Sequence, residues 1–227
     1  MPNPTACIIM AKQPQVGRTK TRLCPPLTLQ EAADLSECLL LDTIALVGQL
    51  PGLDLALAIT PPSSHAYFTR VTPPNTRLLP VDGENIGACL VQALGALLDL
   101  GYRNALAINA DGPSLPAEYI HQAVDLLDHQ DLVLGPGEDG GFYLVGMKRL
   151  HTGVFADIAW STARVFTQTL QRCQALGLSV ALTPPWYDID TSVELKRLNK
   201  DLQELPADRL TNTRRFLAGF SLDQRQK

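Results

Sequence analysis

Short apolar runs alternate with amphipathic stretches along most of this chain, and that alternation restricts its fold more than any other feature. Strand-like runs fall at Cys7–Ala11, Leu53–Thr60, Arg77–Pro80, Asn104–Asn109, Asp131–Leu134, Phe142–Met147 and Leu178–Leu182. Helical patterns lie between them: Thr28 to about Val47, about Ser64–Arg70, Gly87–Leu100, Pro116 to about His129, Thr162–Leu176, and Thr191 to about Leu202. Thr28 with Glu31 makes a capping box, Pro116 suits an early helical position, and Gly101 and Gly177 end their helices. Strands joined through helices run parallel, so the expectation is an α/β fold. It has a mostly parallel central sheet, helices on both faces and right-handed crossovers. A length of 227 residues suits one such domain. We place it at 1–205, followed by a basic C-terminal tail at 206–227 that contains Arg209, Arg214 and Arg215.

In an open parallel sheet, ligands bind beyond the carboxyl ends of the strands. The loop after the first strand is therefore the first place to look, and it is unusual. It carries Lys12, Arg18, Lys20 and Arg22 without one acidic residue among them. Crowded cations repel one another unless an anion joins them, and Gly17 lets backbone amides approach it. A phosphate-binding loop is the better reading over a solvated charge cluster, which favours helices with acidic neighbours. Such exposed loop cations would contribute little to stability. The loop is neither a Walker motif nor a dinucleotide fingerprint, since the required glycines are missing. The net charge of the whole chain is −4, so nucleic acid is not expected as a partner and a small anionic ligand is.

Two further polar clusters follow predicted strands: Asn109-Ala110-Asp111-Gly112-Pro113 and Tyr187-Asp188-Ile189-Asp190-Thr191. A carboxylate such as Asp111 closing an apolar strand is costly unless paired or metal-bound. Asp188 and Asp190 flank one residue, so an extended segment points both to the same side. Together they would hold Mg²⁺ or Mn²⁺ with substrate phosphates, the alternative being that Asp111 or Asp190 simply caps the next helix. In Glu138-Asp139-Gly140-Gly141, a hairpin turn would explain Asp139-Gly140, while the richer pattern also suits close contact with a ligand. The five scattered cysteines and four histidines show no metal-ligand spacing and read as reduced thiols and ordinary polar residues. No leader or membrane span is evident, which makes the cytoplasm the expected compartment.

Taken in order, these segments are specific. Ala11-Lys12-x-Pro14-x-x-Gly17-Arg18-x-Lys20-Thr21-Arg22-Leu23, Asp111-x-Pro113-x-Leu115-Pro116, Gly135-Pro136-x-x-Asp139-Gly140-Gly141-Phe142-Tyr143-Leu144, Trp160-Ser161-Thr162 and Asp188-x-Asp190-Thr191 form the set. Over roughly residues 6–200 this set resembles the radical-SAM/selenodomain-associated transferase family, often labelled a glycosyltransferase. More distantly the chain is similar to phospholactate and molybdenum-cofactor guanylyltransferases. The resemblance implies a single-domain, Rossmann-like GT-A fold of the nucleotide-diphospho-sugar transferase type. It implies that Lys12, Gly17, Arg18, Lys20 and Arg22 bind the nucleotide, and that Asp111, Asp188 and Asp190 hold the metal. Asp139, Gly140, Gly141, Tyr143, Trp160, Ser161 and Thr162 would border the acceptor, although Trp160 equally suits core packing. Asp111, Asp139 and Lys20 are then the candidate catalytic residues. The chain departs from the family pattern at Asn109 and Gly112 around the metal Asp, and at Ala88-Cys89, where Glu-Arg is usual.

The expected activity is transfer of a sugar from a nucleotide-diphospho-sugar to a small acceptor. Nucleotidylyl transfer from a triphosphate, releasing pyrophosphate, is the alternative that the crowded cations favour. A non-catalytic nucleotide-binding protein is the third reading, motivated by the departures.

Overall fold

The structure, a computed structural model, describes residues 4–220. Seven strands form one sheet: β1 (Thr5–Lys12), β2 (Leu53–Thr60), β3 (Arg77–Pro80), β4 (Asn104–Asn109), β5 (Leu132–Pro136), β6 (Phe142–Met147) and β7 (Val180–Leu182). The helices are α1 (Leu29–Gly48), α2 (His65–Val71), α3 (Ile86–Asp99), α4 (Ala117–Leu127), α5 (Val165–Ala175), α6 (Ser192–Glu204) and α7 (Thr211–Ala218). The spatial order is β3-β2-β1-β4-β6-β5-β7. All neighbours are parallel except β6, which is antiparallel to β4 and to β5. Its reversal follows from the tight turn at 137–141, where Gly137 N–H donates to the Gly141 carbonyl at 2.9 Å. The expected α/β architecture is therefore found. Strand order reverses between β1 and β4, and this creates a crevice at their carboxyl ends.

Alternation along the strands sorts the core into two layers. Cys7, Ile9, Leu57, Ile59, Leu106 and Ile108 face α1, α2 and α4, where they meet Leu40, Ile44, Phe68 and Ile120. The opposite face is alanine-rich, with Ala6, Ala56, Ala58, Ala105 and Ala107. Those small side chains leave room for Leu90, Leu94 and Leu97 of α3. Thr28 and Glu31 form the expected capping box at the start of α1. No helix among the described residues is long and apolar enough to cross a membrane.

The segment read as a tail is folded as far as residue 220. Helix α7 packs on α1, with Leu210 and Leu217 in a third apolar cluster together with Leu35, Leu39, Leu195 and Leu198. Buried Asp42 of α1 accepts hydrogen bonds from Asn212 N (3.1 Å), Asn212 Nδ2 (2.8 Å) and Thr213 N (2.8 Å). It thereby satisfies the free amides that open α7. Arg209 and Arg214 donate to the carbonyls of Leu115 and Leu205, so these cations are anchored to the backbone. Residues 221–227 of the expected tail lie outside the described residues.

Candidate active site

The crevice between β1 and β4 collects the three loops singled out above. Ile189 N–H donates to the Asp111 carbonyl at 3.0 Å, which pins the 186–190 segment against the loop after β4. Gly112 permits this approach, since a methyl group there would lie 3.0 Å from both Asp188 Oδ1 and the Tyr187 carbonyl. Its place beside the candidate metal Asp thus has a steric reason.

Lys20 sits at the centre of the carboxylates. Its ammonium is 2.8 Å from Asp190 Oδ1 and 3.1 Å from Asp111 Oδ2, and its side chain is 6% exposed. Lys20 takes left-handed backbone (φ 51°) directly before a short 3-10 turn at Thr21–Leu23, and this turns its side chain inward. Burial works against its charge, but Asp111 and Asp190 more than offset this and its pKa is raised. Asp188 lies deeper. Burial and the nearby Asp111 push its pKa up to about 7, against the opposing influence of Lys20 and a hydrogen bond from Asn109. Asn109 Nδ2 donates to Asp188 Oδ2 at 2.9 Å, while Asp188 Oδ1 is enclosed without a hydrogen-bond partner.

The expected cation cluster is thus split. Lys12, Arg18 and Arg22 are exposed, whereas Lys20 is buried in an ion-paired site. The expectation that Lys20 matters little for stability is corrected on that ground. The expected metal trio is also modified. Among the described residues no three His, Cys, Asp or Glu side chains stand arranged to hold an ion, and a lysine ammonium lies between two of the three carboxylates proposed for it. The donor chemistry still suits a hard dication, since Asp111 and Asp190 are about two-fifths exposed and Asp188 keeps an unpartnered oxygen.

Two adjoining pockets flank the pair. One, of about 290 Å³, is lined by Lys12, Arg18, Lys20, Arg22, Asp111 and Asp190, with Ser36 and Leu40 of α1 on its wall. The other, of about 530 Å³, is lined by Ile86, Leu90, Asp139, Phe142, Trp160 and Thr162 among others. Met10, Arg22 and Asp190 belong to both. Met10, Ser36, Ile86 and Leu90 were not anticipated, because apolar or small residues on strands and helices carry no chemical signal in a sequence.

The predicted acceptor residues divide. Gly141, Trp160, Ser161 and Thr162 line the larger pocket. Trp160 packs its ring against Phe142 and Phe155, and a methyl at Gly87 would meet it at 2.3 Å. Asp139 forms part of the hairpin turn, accepting from Gly141 N–H at 2.9 Å, and also faces the cavity. Gly140 has φ +89° and sits against the backbone of Ala163, where any side chain would clash. Tyr143 also lines the larger pocket, while its buried hydroxyl is taken up by Thr183 (2.6 Å) and the Pro184 carbonyl (2.9 Å). It braces β6 rather than presenting a polar group to an acceptor.

Residues 43–162 match the family described as "Uncharacterized protein conserved in bacteria (DUF2064)". Among curated proteins none matches the chain in sequence. The chain is similar to the solved structure of a candidate nucleotide-diphospho-sugar transferase from Desulfovibrio desulfuricans G20, with 25% identity, a TM-score of 0.89 and 97% of each chain covered. It shares its fold with CMP:2-keto-3-deoxy-manno-octonic acid synthetase complexed with CTP, at 11% identity and TM-score 0.57, covering 88% of this chain and 99% of that one. It also shares it with Rv0371c from Mycobacterium tuberculosis H37Rv complexed with manganese, at 16% identity and TM-score 0.53, covering 86% and 97%. These matches agree with the fold that the sequence resemblance implies, and they do not bear on its radical-SAM association. With the family match spanning 43–162, more than half of its length, the chain belongs to the DUF2064 family.

Proposed function

We propose that this chain is a divalent-metal-dependent, nucleotide-using transferase that moves a sugar from a nucleotide-diphospho-sugar to a hydroxyl of a small acceptor. The observation that carries the reading is the pair of adjoining pockets, one cationic and one aromatic, meeting at Arg22 and Asp190. The cationic pocket suits a diphosphate. The larger one suits a sugar and acceptor, since Phe142 and Trp160 offer apolar faces and Ser161, Thr162 and Asp139 offer polar groups. The likeness to a nucleotide-diphospho-sugar transferase supports this assignment.

Lys12, Arg18 and Arg22 would hold the diphosphate and stabilise charge as it departs. Asp111 and Asp190, with Asp188 behind them, would hold Mg²⁺ or Mn²⁺, which when bound neutralises the leaving group as a Lewis acid. The manganese complex of a protein of the same fold supports that choice of metal class. The acceptor oxygen bonds to the anomeric carbon as its bond to the diphosphate breaks, and Asp139 would take the hydroxyl proton.

Nucleotidylyl transfer is the second reading, favoured by a neighbour of the same fold that holds CTP. Against a phosphorylated acceptor stands the larger cavity, whose described lining includes one cation, Arg22. Calorimetry with Mg²⁺ should show the diphosphate or diphospho-sugar binding at least as well as the matching triphosphate. Clear preference for the triphosphate, or acceptor-dependent pyrophosphate release, would overturn the glycosyl reading.

A further inference from the structure

We infer that Lys20 is the resident counter-cation of the Asp111–Asp190 pair and competes with a divalent metal for it, so that phosphate binding licenses metal loading. The inference rests on reading those two aspartates as the cation-holding pair. It adds a role for Lys20 that a simple phosphate-binding lysine would not have.

The geometry supports direct competition. The ammonium lies within 3.1 Å of an oxygen from each carboxylate, with its side chain almost wholly buried between them. A dication bound to the same carboxylates would stand a few ångströms from that ammonium. At such a separation in a partly dry site, like-charge repulsion is severe. Arg22 adds to it, its guanidinium being 3.9 Å from Asp190 Oδ2. The metal and the ammonium therefore exclude one another unless Lys20 moves.

The structure also offers Lys20 a second place. It already lines the cationic pocket with Lys12, Arg18 and Arg22. Without an anion that pocket repels a fourth exposed cation, and the carboxylates are its better partner. A bound diphosphate reverses the preference by offering the ammonium new oxygens. Leaving the carboxylates, Lys20 frees them for the metal. Metal and phosphate should then bind with positive coupling, each raising the affinity for the other equally.

The test uses Mn²⁺ alone, titrated by electron paramagnetic resonance into nucleotide-free protein. Lys20→Met should bind Mn²⁺ at least about tenfold more tightly than the wild type, because the competing charge is gone. Lys20→Met with Asp111→Asn should lose that gain. Equal Mn²⁺ affinity in wild type and Lys20→Met would overturn the competition while leaving the metal reading intact. No Mn²⁺ binding by folded Lys20→Met would overturn both. If the variant does not fold, the wild type decides: reductive methylation with mass spectrometry should find Lys20 protected in metal-free protein and reactive at saturating Mn²⁺. Lys20 remaining protected while Mn²⁺ is bound would refute the proposal.

Discussion

The side-chain amide of Asn109 donates to Asp188 Oδ2 at 2.9 Å and so supports the most enclosed carboxylate of the crevice. Asn109 ends β4 and Asp188 follows β7, so the bond ties the sheet's centre to the segment before α6. Asp188 has no partner on its other oxygen. Asn109→Ala should cost about 1–3 kcal/mol, because it strips a donor from a buried acceptor. Urea denaturation at neutral pH measures this, and an unchanged midpoint would show that water replaces the amide.

The four cations of the first loop should separate into two kinds on mutation. Arg18 and Arg22 are exposed, so Arg18→Ala and Arg22→Ala should leave the melting temperature within a degree or two (a fraction of a kcal/mol). Both should weaken nucleotide binding more as phosphates are added. Lys20→Ala should cost roughly 2 kcal/mol of stability, less than a fully buried pair because Asp111 and Asp190 are about two-fifths exposed. Equal stability losses for the three variants, read by thermal melting, would contradict the burial of Lys20.

Much of the fold was legible because local signals agreed with the global pattern. Leu53–Thr60 ends at Pro61, and Thr28 with Glu31 opens α1, so their boundaries follow from turn and cap chemistry alone. The loops bearing Asp111, Asp139 and Asp188 were legible as polar clusters after apolar strands. Which groups they touch was not. Four loop cations look alike in sequence, and it takes both the turn at Lys20 and the Ile189–Asp111 backbone bond, a contact between distant segments, to set Lys20 beside Asp190. Tyr143 lines the larger pocket as the sequence suggests, but the anchoring of its hydroxyl was not legible, because Thr183 and Pro184 lie far along the chain. Helix α7 escaped notice for the same reason: its opening amides depend on Asp42, a residue that reads as a polar interruption in the apolar face of α1.

That dependence is itself testable. Asp42→Ala removes three hydrogen bonds at the start of α7 and leaves buried amides unsatisfied. A loss of about 2–4 kcal/mol is expected. Hydrogen exchange should speed up across Thr211–Ala218 before the sheet is affected. Uniform loss of protection over the whole chain would mean that α7 and the sheet unfold as one unit.

Acid stability should depend in part on Asp131, which accepts from Ser179 N at 2.8 Å and from Ser179 Oγ at 2.7 Å. These bonds from Ser179 hold its pKa below the ordinary 3.8. A carboxylate whose folded pKa is depressed contributes stability above its unfolded pKa and loses it as pH falls through the folded value. The contribution should therefore be full at neutral pH, begin to fall as the pH approaches the ordinary 3.8, and be gone once the pH is below the lower folded value. Ser179→Ala should destabilise the protein at pH 7, and the gap should narrow in strong acid to what the bond from Asp131 N–H to Ser179 Oγ (3.0 Å) contributes. Denaturation midpoints across that range check the sign, and a gap that widens on acidification would refute it.

The wall of the larger pocket should be set by one glycine. A methyl on Gly87 would lie 2.3 Å from Trp160 Cζ2 and 2.7 Å from Cε2, far inside contact distance. Gly87 belongs to the first turn of α3, whose inner face is packed on the sheet, so the indole is the freer partner to move. Gly87→Ala should cost about 1–3 kcal/mol through overpacking and should shift Trp160 fluorescence. The cationic pocket does not include Gly87 or Trp160, so diphosphate affinity should stay unchanged while binding of the larger ligand falls. Trp160→Phe removes the fused six-membered ring that carries Cζ2. The double variant should therefore recover part of the stability lost by Gly87→Ala, a coupling that independent sites would not show. Additive losses in that cycle would mean that the strain is relieved by movement of α3, and that Trp160 does not depend on Gly87 for its position.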